Sequence, residues 1–190
     1  MARRSFPGGF ECWVRWRCAS LSTCTFEDIV QTILDDVIAF YGAQYGNVQL
    51  PVGDHLVIAA QRGFDREFLR TFRRVKKDDG CACGRALQLG QPIVIADVEK
   101  DPDYAPYCDA AKSAGYRSVQ STPFITQDGK LVAIVSVHFE APGGPTRSEG
   151  GAFNLYTNVA AEQAYELLGG VALAAKAAQM SDQLYSGFAF

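Results

Sequence analysis

The strongest fold signal in the sequence is the segment 117–139, in which two β-prone runs are separated by a tight turn. The runs read RSVQSTPFI and LVAIVSVHF, and the residues between them read TQDGK. Asp128-Gly129 favours the two-residue turns of β-hairpins, because aspartate and glycine both tolerate the positive φ that such turns need. The segment therefore predicts two antiparallel strands joined by a short turn.

A second pair of short strands precedes this hairpin. The runs NVQL at 47–50 and HLVIAAQ at 55–61 flank the residues PVGD. Proline, glycine and aspartate between β-prone runs are typical of a hairpin loop. Strands that are joined by short turns run antiparallel, so the two hairpins together predict an antiparallel sheet.

Amphipathic helices are predicted on both sides of these strands. Apolar side chains recur at helical spacing in residues 26–41 and again in residues 147–168. The second helix is preceded by Thr146 and Glu149, which match a capping box. Both apolar stripes are too wide to remain exposed, so we expect the two helices to pack together on one face of the sheet.

The segment between residues 62 and 116 is rich in turns and short elements. It contains the predicted short helices DREFLRTFRR and ACGRALQLG, the strand PIVIADV, and a further helix that ends at Gly115. This segment leads from one edge of the sheet to the other. Connectors that fold over a sheet commonly enclose binding pockets, so we expect any ligand site to lie beneath residues 80–116.

Composition and charge exclude several classes of protein. The chain has 190 residues, of which 48% are hydrophobic, and its net charge of −3 gives no sign of nucleic-acid binding. It has no apolar run long enough to span a bilayer and no export signal. We expect a cytoplasmic protein with an irregular tail at 1–24, a domain at 25–170 and a helical or disordered tail at 171–190.

The six cysteines are expected to stay reduced in that compartment. Cys81 and Cys83 form a C-x-C pair in DGCACGRAL, whereas the sequence contains no C-x-x-C pair and only two histidines. This spacing does not match zinc-binding patterns, so no metal site is predicted. A disulfide between residues so close in the chain would strain the bridge geometry.

Several segments together resemble the GAF domain, in the form common in bacterial sensor histidine kinases. They extend from about residue 26 to residue 168 and read YGNVQL, LVIAAQRGF, CGRAL, QPIVIADVEKDP, GYRSVQSTPFITQDGKLVAIVSVHF and the helix after GPTRSE. The resemblance implies an α+β fold with a central antiparallel sheet of five or six strands. The N- and C-terminal helices would back one face, and connector helices with a small-molecule pocket would cover the other.

Strand alternation and the resemblance together give candidate pocket residues. Ser136 and His138 share one face of the last strand with Ile134, because strand side chains alternate. The candidate ligand-binding residues are Cys83, Tyr104, Tyr107, Cys108, Tyr116, Ser136 and His138. Each also has a structural interpretation, since buried thiols, aromatic rings and hydrogen-bonded histidines often serve only for packing.

An enzymatic interpretation is the alternative. The residues ACG at 82–84 and CD at 108–109 are similar to cysteine motifs of GAF-fold enzymes that reduce free methionine-R-sulfoxide. That resemblance implies that Cys108 attacks the sulfoxide sulfur. Cys83 would then resolve the oxidised intermediate by forming a disulfide.

The sequence departs from the catalytic and pigment-binding members of this fold. The reductases carry a further cysteine in the region of Arg73, and none is present there. Ser136 and His138 occupy the strand from which those enzymes supply acidic residues to the substrate ammonium group. Members that attach a bilin commonly present a Cys-His pair, whereas Cys108 is followed by Asp109.

The leading hypothesis is therefore a sensory or regulatory module without catalysis of its own. It would bind an unidentified small molecule, and its output would be a histidine kinase or another signalling partner. The sequence identifies no cofactor. A parallel homodimer through the terminal helices is also expected, because Ala160, Ala161, Ala164 and Tyr165 widen the apolar arc of the helix at 147–168 beyond what one contact needs.

Overall fold

The computed structural model describes residues 24–145 and 151–187. Within them, six strands numbered in chain order form one antiparallel sheet, whose spatial order is β3-β2-β1-β6-β5-β4. The strands are β1 (Tyr45–Val52), β2 (His55–Arg62), β3 (Val75–Lys76), β4 (Ile93–Ile95), β5 (Ser118–Ile125) and β6 (Leu131–Phe139). The α-helices are α1 (Phe26–Tyr41), α2 (Arg66–Thr71), α3 (Ala82–Leu89), α4 (Cys108–Ala114), α5 (Gly151–Leu167) and α6 (Leu173–Ser186), and a 3₁₀ helix occupies Pro102–Tyr107. The predicted α+β fold and antiparallel sheet are confirmed.

Two hairpins form the centre of the sheet. The turn between β1 and β2 contains Gly53, whose φ is +62°, and the turn between β5 and β6 contains Gly129, whose φ is +83°. β1 pairs antiparallel with β6 and thereby joins the hairpins, with Asn47 opposite Ser136. The strand pairs predicted from the turn residues are therefore confirmed.

Helices α1 and α5 pack side by side on one face of the sheet. The ring of Phe40 stacks on the ring of Phe153, with centroids 4.4 Å apart. The Tyr156 hydroxyl donates a hydrogen bond to an Asp36 carboxylate oxygen at 3.0 Å. Apolar side chains from both helices and from the strands form one continuous core. The prediction that these helices share a face is confirmed.

The alanines of α5 are buried within the chain. Ala160, Ala161 and Ala164 are at most 1% exposed, because α5 lies against α1 and against β5 and β6. The wide apolar arc that led to the expectation of a dimer is thus used in internal packing. The capping box expected at Thr146 and Glu149 lies outside the described residues.

The region 171–190 contains a packed helix, α6, which lies against β1 and β2. Lys176 forms an ion pair with Glu27 of α1 at 2.5 Å. At the other end of α6, the Tyr185 hydroxyl donates to the carbonyl oxygen of Leu69 at 2.6 Å. Neither this helix nor any other in the described part of the chain is long and apolar enough to cross a membrane.

The chain between β2 and β5 covers the opposite face of the sheet. It runs through α2, β3, α3, β4, the 3₁₀ helix and α4 in that order. The buried side chains of these connectors form a second core with Leu56, Ile58 and Ile134 of the sheet. The sheet therefore lies between the terminal helices on one side and the connectors on the other.

An ion pair between α3 and the 3₁₀ helix holds the connectors together. Arg85 donates from both terminal nitrogens to the two carboxylate oxygens of Asp101, at 2.9 and 2.5 Å. The Nε of Arg85 donates to the carbonyl oxygen of Gly80 at 2.6 Å. Asp101 also accepts a hydrogen bond from the backbone N–H of Tyr104 at 3.2 Å. Because Arg85 stabilises the carboxylate, the pKa of Asp101 lies below its ordinary value, and the pair is charged at neutral pH.

We expect the substitution Asp101→Asn to lower the free energy of unfolding by about 1–3 kcal/mol at pH 7, since it removes a bidentate charged contact. The two side chains are only 23% and 20% exposed, so solvent screens the pair weakly. A carboxyl whose pKa is lower in the folded state stabilises the fold above its unfolded pKa of about 4, and this contribution is lost as the pH falls through the folded pKa. Urea denaturation should therefore show the difference from wild type shrinking below about pH 4.

The matched control is Asp103→Asn in the same loop. Asp103 is 74% exposed and lies 3.8 Å from Arg85, so its replacement should change the free energy of unfolding by less than about 0.5 kcal/mol. Equal losses in the two variants would contradict the role assigned to the Arg85–Asp101 pair. A difference between Asp101→Asn and wild type that stays constant down to acid pH would contradict it as well.

Candidate functional site

A row of polar side chains crosses the three central strands on the connector side of the sheet. Asn47 of β1 lies opposite Ser136 of β6, which in turn lies opposite Ser121 of β5. All three are at most 3% exposed, and the hydroxyl oxygens of Ser121 and Ser136 are 2.7 Å apart. Their neighbours Val48 and Val135 belong to the core under the terminal helices. Strand alternation therefore directs the polar row toward the connectors.

Three buried polar atoms at this row have no hydrogen-bond partner among the described residues. They are the Oδ1 of Asn47, the Oε1 of Gln49 and the Nδ1 of His138. These three residues are at most 3% exposed. A buried polar atom without a partner costs about 1–3 kcal/mol, and such atoms are rare in folded proteins. Their convergence in one place is typical of a site that holds a polar molecule.

The residues that carry these atoms line a small cavity with a volume of about 10 Å³. A cavity of this size is roughly what one water molecule requires. Its walls are formed by Asn47, Gln49, Phe68, Phe72, Cys81, Ala82, Cys83, Tyr104, Val119, Ser121, Ser136 and His138. No aspartate, glutamate, lysine or arginine lines it, so the cavity suits an uncharged molecule.

His138 is a buried titratable group at the cavity, and it is only 3% exposed. Its ring makes edge contacts with the rings of Phe64, Phe68 and Tyr116, at centroid distances of 4.9, 5.6 and 4.6 Å. Burial lowers the pKa of His138 to about 3. The imidazole is therefore neutral at physiological pH, and its unpartnered Nδ1 is available to accept or donate a hydrogen bond according to the tautomer.

A pair of tyrosines closes one side of the site. The hydroxyl oxygens of Tyr104 and Tyr116 are 2.8 Å apart, and both residues are 1% exposed. Burial raises the pKa of both hydroxyls above the ordinary value for tyrosine. Both groups are therefore protonated at neutral pH and serve as hydrogen-bonding groups rather than as bases.

The start of α3 forms the roof of the cavity. Cys81 is the N-cap residue of this helix, and its Sγ lies 3.4 Å from the Sγ of Cys83. Gly84 follows at a position where a Cβ atom would lie 2.5 Å from the carbonyl oxygen of Asp79 and 2.6 Å from that of Lys76. Only glycine allows the helix backbone to approach these carbonyl oxygens so closely. The close approach places Cys81 and Cys83 against the sheet.

The structure brings some of the predicted site residues together and places others elsewhere. Cys83, Tyr104, Ser136 and His138 line the cavity, and Tyr116 lies behind His138. Tyr107 and Cys108 are not among the lining residues: the Tyr107 ring stacks on Phe72 at 5.2 Å, and the Cys108 Sγ donates to the carbonyl oxygen of Val98 at 3.3 Å.

Sequence reasoning missed several lining residues, among them Asn47, Gln49, Ser121 and Cys81. A usable signal was present in β1, where polar Asn47 and Gln49 alternate with apolar Val48 and Leu50. Polar residues on one face of a buried strand indicate a polar site. In the described part of the chain, no group of three or more His, Cys, Asp or Glu residues is arranged to hold a metal ion.

Solved structures with the same fold come from several kinds of protein. One is a domain of a protein named as a two-component sensor histidine kinase from Sinorhizobium meliloti, with 13% identity, 81% of this chain and 98% of that chain covered, and a TM-score of 0.53. Another is a free methionine-R-sulfoxide reductase from Neisseria meningitidis, with 18% identity and a TM-score of 0.55. The match covers 93% of this chain and 99% of that chain. A third is the GAF domain of an Acinetobacter phosphoenolpyruvate-protein phosphotransferase, with 11% identity and a TM-score of 0.58. The match covers 86% of this chain and 95% of that chain.

These identities are low, so the three structures are similar to this chain in fold alone. No sequence among the curated proteins matches the chain. The sequence model of the GAF domain matches residues 24–162, which is well over half of the chain. On that match, and with the six-stranded sheet between its two layers of helices, the chain belongs to the GAF domain family.

Proposed function

We propose that the chain is a sensory or regulatory module that binds a small uncharged polar molecule in the cavity beneath α3. The single observation that carries this proposal is the convergence of three unpartnered polar atoms, from Asn47, Gln49 and His138, on one cavity. A fold without a ligand to bind gains nothing from these groups, because apolar side chains of similar shape would be neutral or stabilising there. The molecule bound is expected to supply hydrogen bonds to these atoms.

The strands under the cavity provide a connection to the terminal helices. Ser136 and His138 line the cavity, whereas Val135 and Val137, which alternate with them along β6, belong to the core under α1 and α5. A ligand that shifts β6 therefore also shifts residues packed on the helices. The output partner, a histidine kinase or another signalling protein, would respond to that shift. We place the module in the cytoplasm as part of the same proposal.

The test of ligand binding uses a protein-free metabolite extract as the probe. We expect the extract, or one of its fractions, to raise the melting temperature of the wild-type protein, because a ligand that binds only the folded state stabilises it. The variant Asn47→Leu should fold with equal or greater stability in plain buffer, since it removes an unpartnered buried polar atom. It should show at most a small rise with the active fraction.

Hydrogen exchange distinguishes binding from signalling in the same samples. The active fraction should slow amide exchange in the connectors and change it in α1, α5 or α6. A fraction that stabilises wild type and Asn47→Leu equally would place binding elsewhere. Absence of any stabilising fraction would remove the ligand-binding proposal.

The alternative function is a thiol-based reductase of free methionine-R-sulfoxide, which the fold of the Neisseria meningitidis enzyme and the position of Cys83 on the cavity wall support. The geometry gives it less support than it gives binding. The Cys108 sulfur is hydrogen-bonded to a backbone carbonyl outside the set of lining residues. The cavity of about 10 Å³ also lacks a carboxylate for the ammonium group of an amino acid.

We therefore expect no measurable turnover of free methionine-R-sulfoxide in an assay coupled to thioredoxin. The physical reason is that Ser136 and His138 supply no negative charge for the substrate. A Neisseria-type reductase serves as the positive control. Turnover that disappears in Cys108→Ser would establish the enzyme and displace the sensory proposal.

The proposal includes a parallel homodimer through the terminal helices. Since the α5 alanines are used internally, the surface available on that helix is its outer face, where Leu155 is 51% and Tyr165 is 38% exposed. Light scattering at micromolar concentration should give a mass that rises toward that of a dimer, and Leu155→Glu should return it to the monomer mass. A wild-type mass that stays at the monomer value as concentration increases would contradict the dimer.

A further inference from the structure

Two thiols lie in contact at the roof of the cavity. The Sγ atoms of Cys81 and Cys83 are 3.4 Å apart, and the residues are 1% and 6% exposed. Both cysteines line the cavity, on the side opposite the strand residues Asn47 and His138. Neither binding of a polar ligand nor packing requires two sulfur atoms in contact at this place.

The two sulfur atoms are not equivalent. Cys81 occupies the N-cap position of α3 with an extended backbone, whereas Cys83 lies inside the first turn. The hydrogen bond from the Cys83 thiol, together with the Gly84 backbone N–H, lowers the pKa of Cys81. The same contact and burial raise the pKa of Cys83 well above its ordinary value. Cys81 therefore gives up its proton more readily than Cys83.

The cavity next to the sulfur atoms fits a very small oxidant. Its volume of about 10 Å³ excludes bulky disulfides such as glutathione and fits a molecule close to water in size. The unpartnered Oδ1 of Asn47 and Oε1 of Gln49 are hydrogen-bond acceptors. Hydrogen peroxide is uncharged, small, and carries two O–H donors that match such acceptors.

We propose that Cys81 and Cys83 form a reversible dithiol site that hydrogen peroxide oxidises. The Cys81 thiolate attacks one peroxide oxygen, the O–O bond breaks, and the products are the Cys81 sulfenic acid and hydroxide. The Cys83 sulfur then attacks the Cys81 sulfur, the S–O bond breaks, and a Cys81–Cys83 disulfide and water form. Two thiols lose two electrons in total, and one hydrogen peroxide is reduced to two water molecules.

The short spacing makes this disulfide easy to reduce again. A bond between sulfur atoms requires a separation of about 2.0 Å and a restricted dihedral angle, which residues two apart in a chain meet only with strain. Strained disulfides have more oxidising potentials and belong to the labile, regulatory group rather than the structural group. The site is therefore suited to transient oxidation in a reducing compartment.

The dithiol site shares its cavity with the proposed ligand, but its chemistry is distinct from ligand recognition and from the reductase alternative. It does not use Cys108, whose sulfur is bound to the Val98 carbonyl oxygen. Its chemistry can be measured on the purified protein without knowledge of a ligand or partner. A negative result in the metabolite experiment would therefore not count against the dithiol site. A negative result in the peroxide experiment would likewise not count against ligand binding.

The test follows the two cysteine regions by mass spectrometry. Trypsin separates Cys81 and Cys83, in residues 78–85, from Cys108, in residues 101–112. The folded, reduced protein is treated with hydrogen peroxide, its remaining thiols are alkylated under denaturing conditions, and it is digested. Peptide 78–85 should lose two hydrogen atoms and resist alkylation, and dithiothreitol should restore both thiols. Peptide 101–112 should remain alkylated.

Three variants test which cysteine attacks the peroxide, which one resolves the sulfenic acid, and whether Cys108 takes part. Cys83→Ser should accumulate a Cys81 sulfenic acid that dimedone traps, because the resolving thiol is gone. Cys81→Ser should slow oxidation of peptide 78–85 by about tenfold or more, because the thiolate is the nucleophile. Cys108→Ser should leave the wild-type result unchanged.

Two outcomes would overturn the proposal. One is a wild-type peptide 78–85 that stays fully alkylatable at peroxide concentrations that oxidise Cys108. The other is an equal rate of oxidation in wild type and Cys81→Ser. The wild-type measurement needs no substitution, so it decides the first point even where a cysteine variant folds poorly.

Discussion

Burial of the polar row across β1, β6 and β5 is the constraint on which the rest of the structure depends. These strands are covered on both faces, and on the face toward the terminal helices the buried Gln120 of β5 donates hydrogen bonds to Tyr41 and Thr122. Each unpartnered atom on the other face costs about 1–3 kcal/mol, which is a large share of the stability of a typical domain. A sheet can tolerate that cost only when packing elsewhere is extensive. The continuous core beneath α1, α5 and α6 provides this packing.

The connectors close over the row because the backbone can approach itself unusually closely. A side chain at Gly84 would collide with two carbonyl oxygens, and one at Gly80 would collide with the carbonyl group of Asp103. The Arg85–Asp101 ion pair then fixes α3 to the 3₁₀ helix. If the proposed ligand is larger than water, its entry would displace these elements, and binding would be coupled to motion of the connectors. Such coupling is what a sensory module needs.

Sequence patterns predicted the sheet, the two flanking helices and the inward face of β6, because hairpin turns and alternation are local properties. They did not predict that Asn47 and Gln49 face the cavity, although both alternate with apolar Val48 and Leu50, because alternation separates the two faces of a strand without showing which face the connectors cover. Tyr107 and Cys108 were expected at the site. Tyr107 ends the 3₁₀ helix and Cys108 begins α4. The directions of side chains at such a junction depend on the tertiary packing of both short helices, which spacing in the sequence does not give. β3 has only two residues, too few to show a period.

Two sets of contacts connect the cavity to the terminal helices, one through β6 and one through α2. They differ in how closely the moving element is packed. The route through β6 requires a strand to move against close-packed cores on both faces, which resist deformation. The route through α2 is shorter. Phe68 of this helix lines the cavity, and the next residue, Leu69, accepts the hydrogen bond from Tyr185 of α6. The guanidinium of Arg73, beyond the end of α2, also lies 4.9 Å from the Tyr185 ring. Under the proposed function, a change at the cavity would therefore reach α6 through one short helix, which makes α6 the terminal helix with the most direct contact to the site.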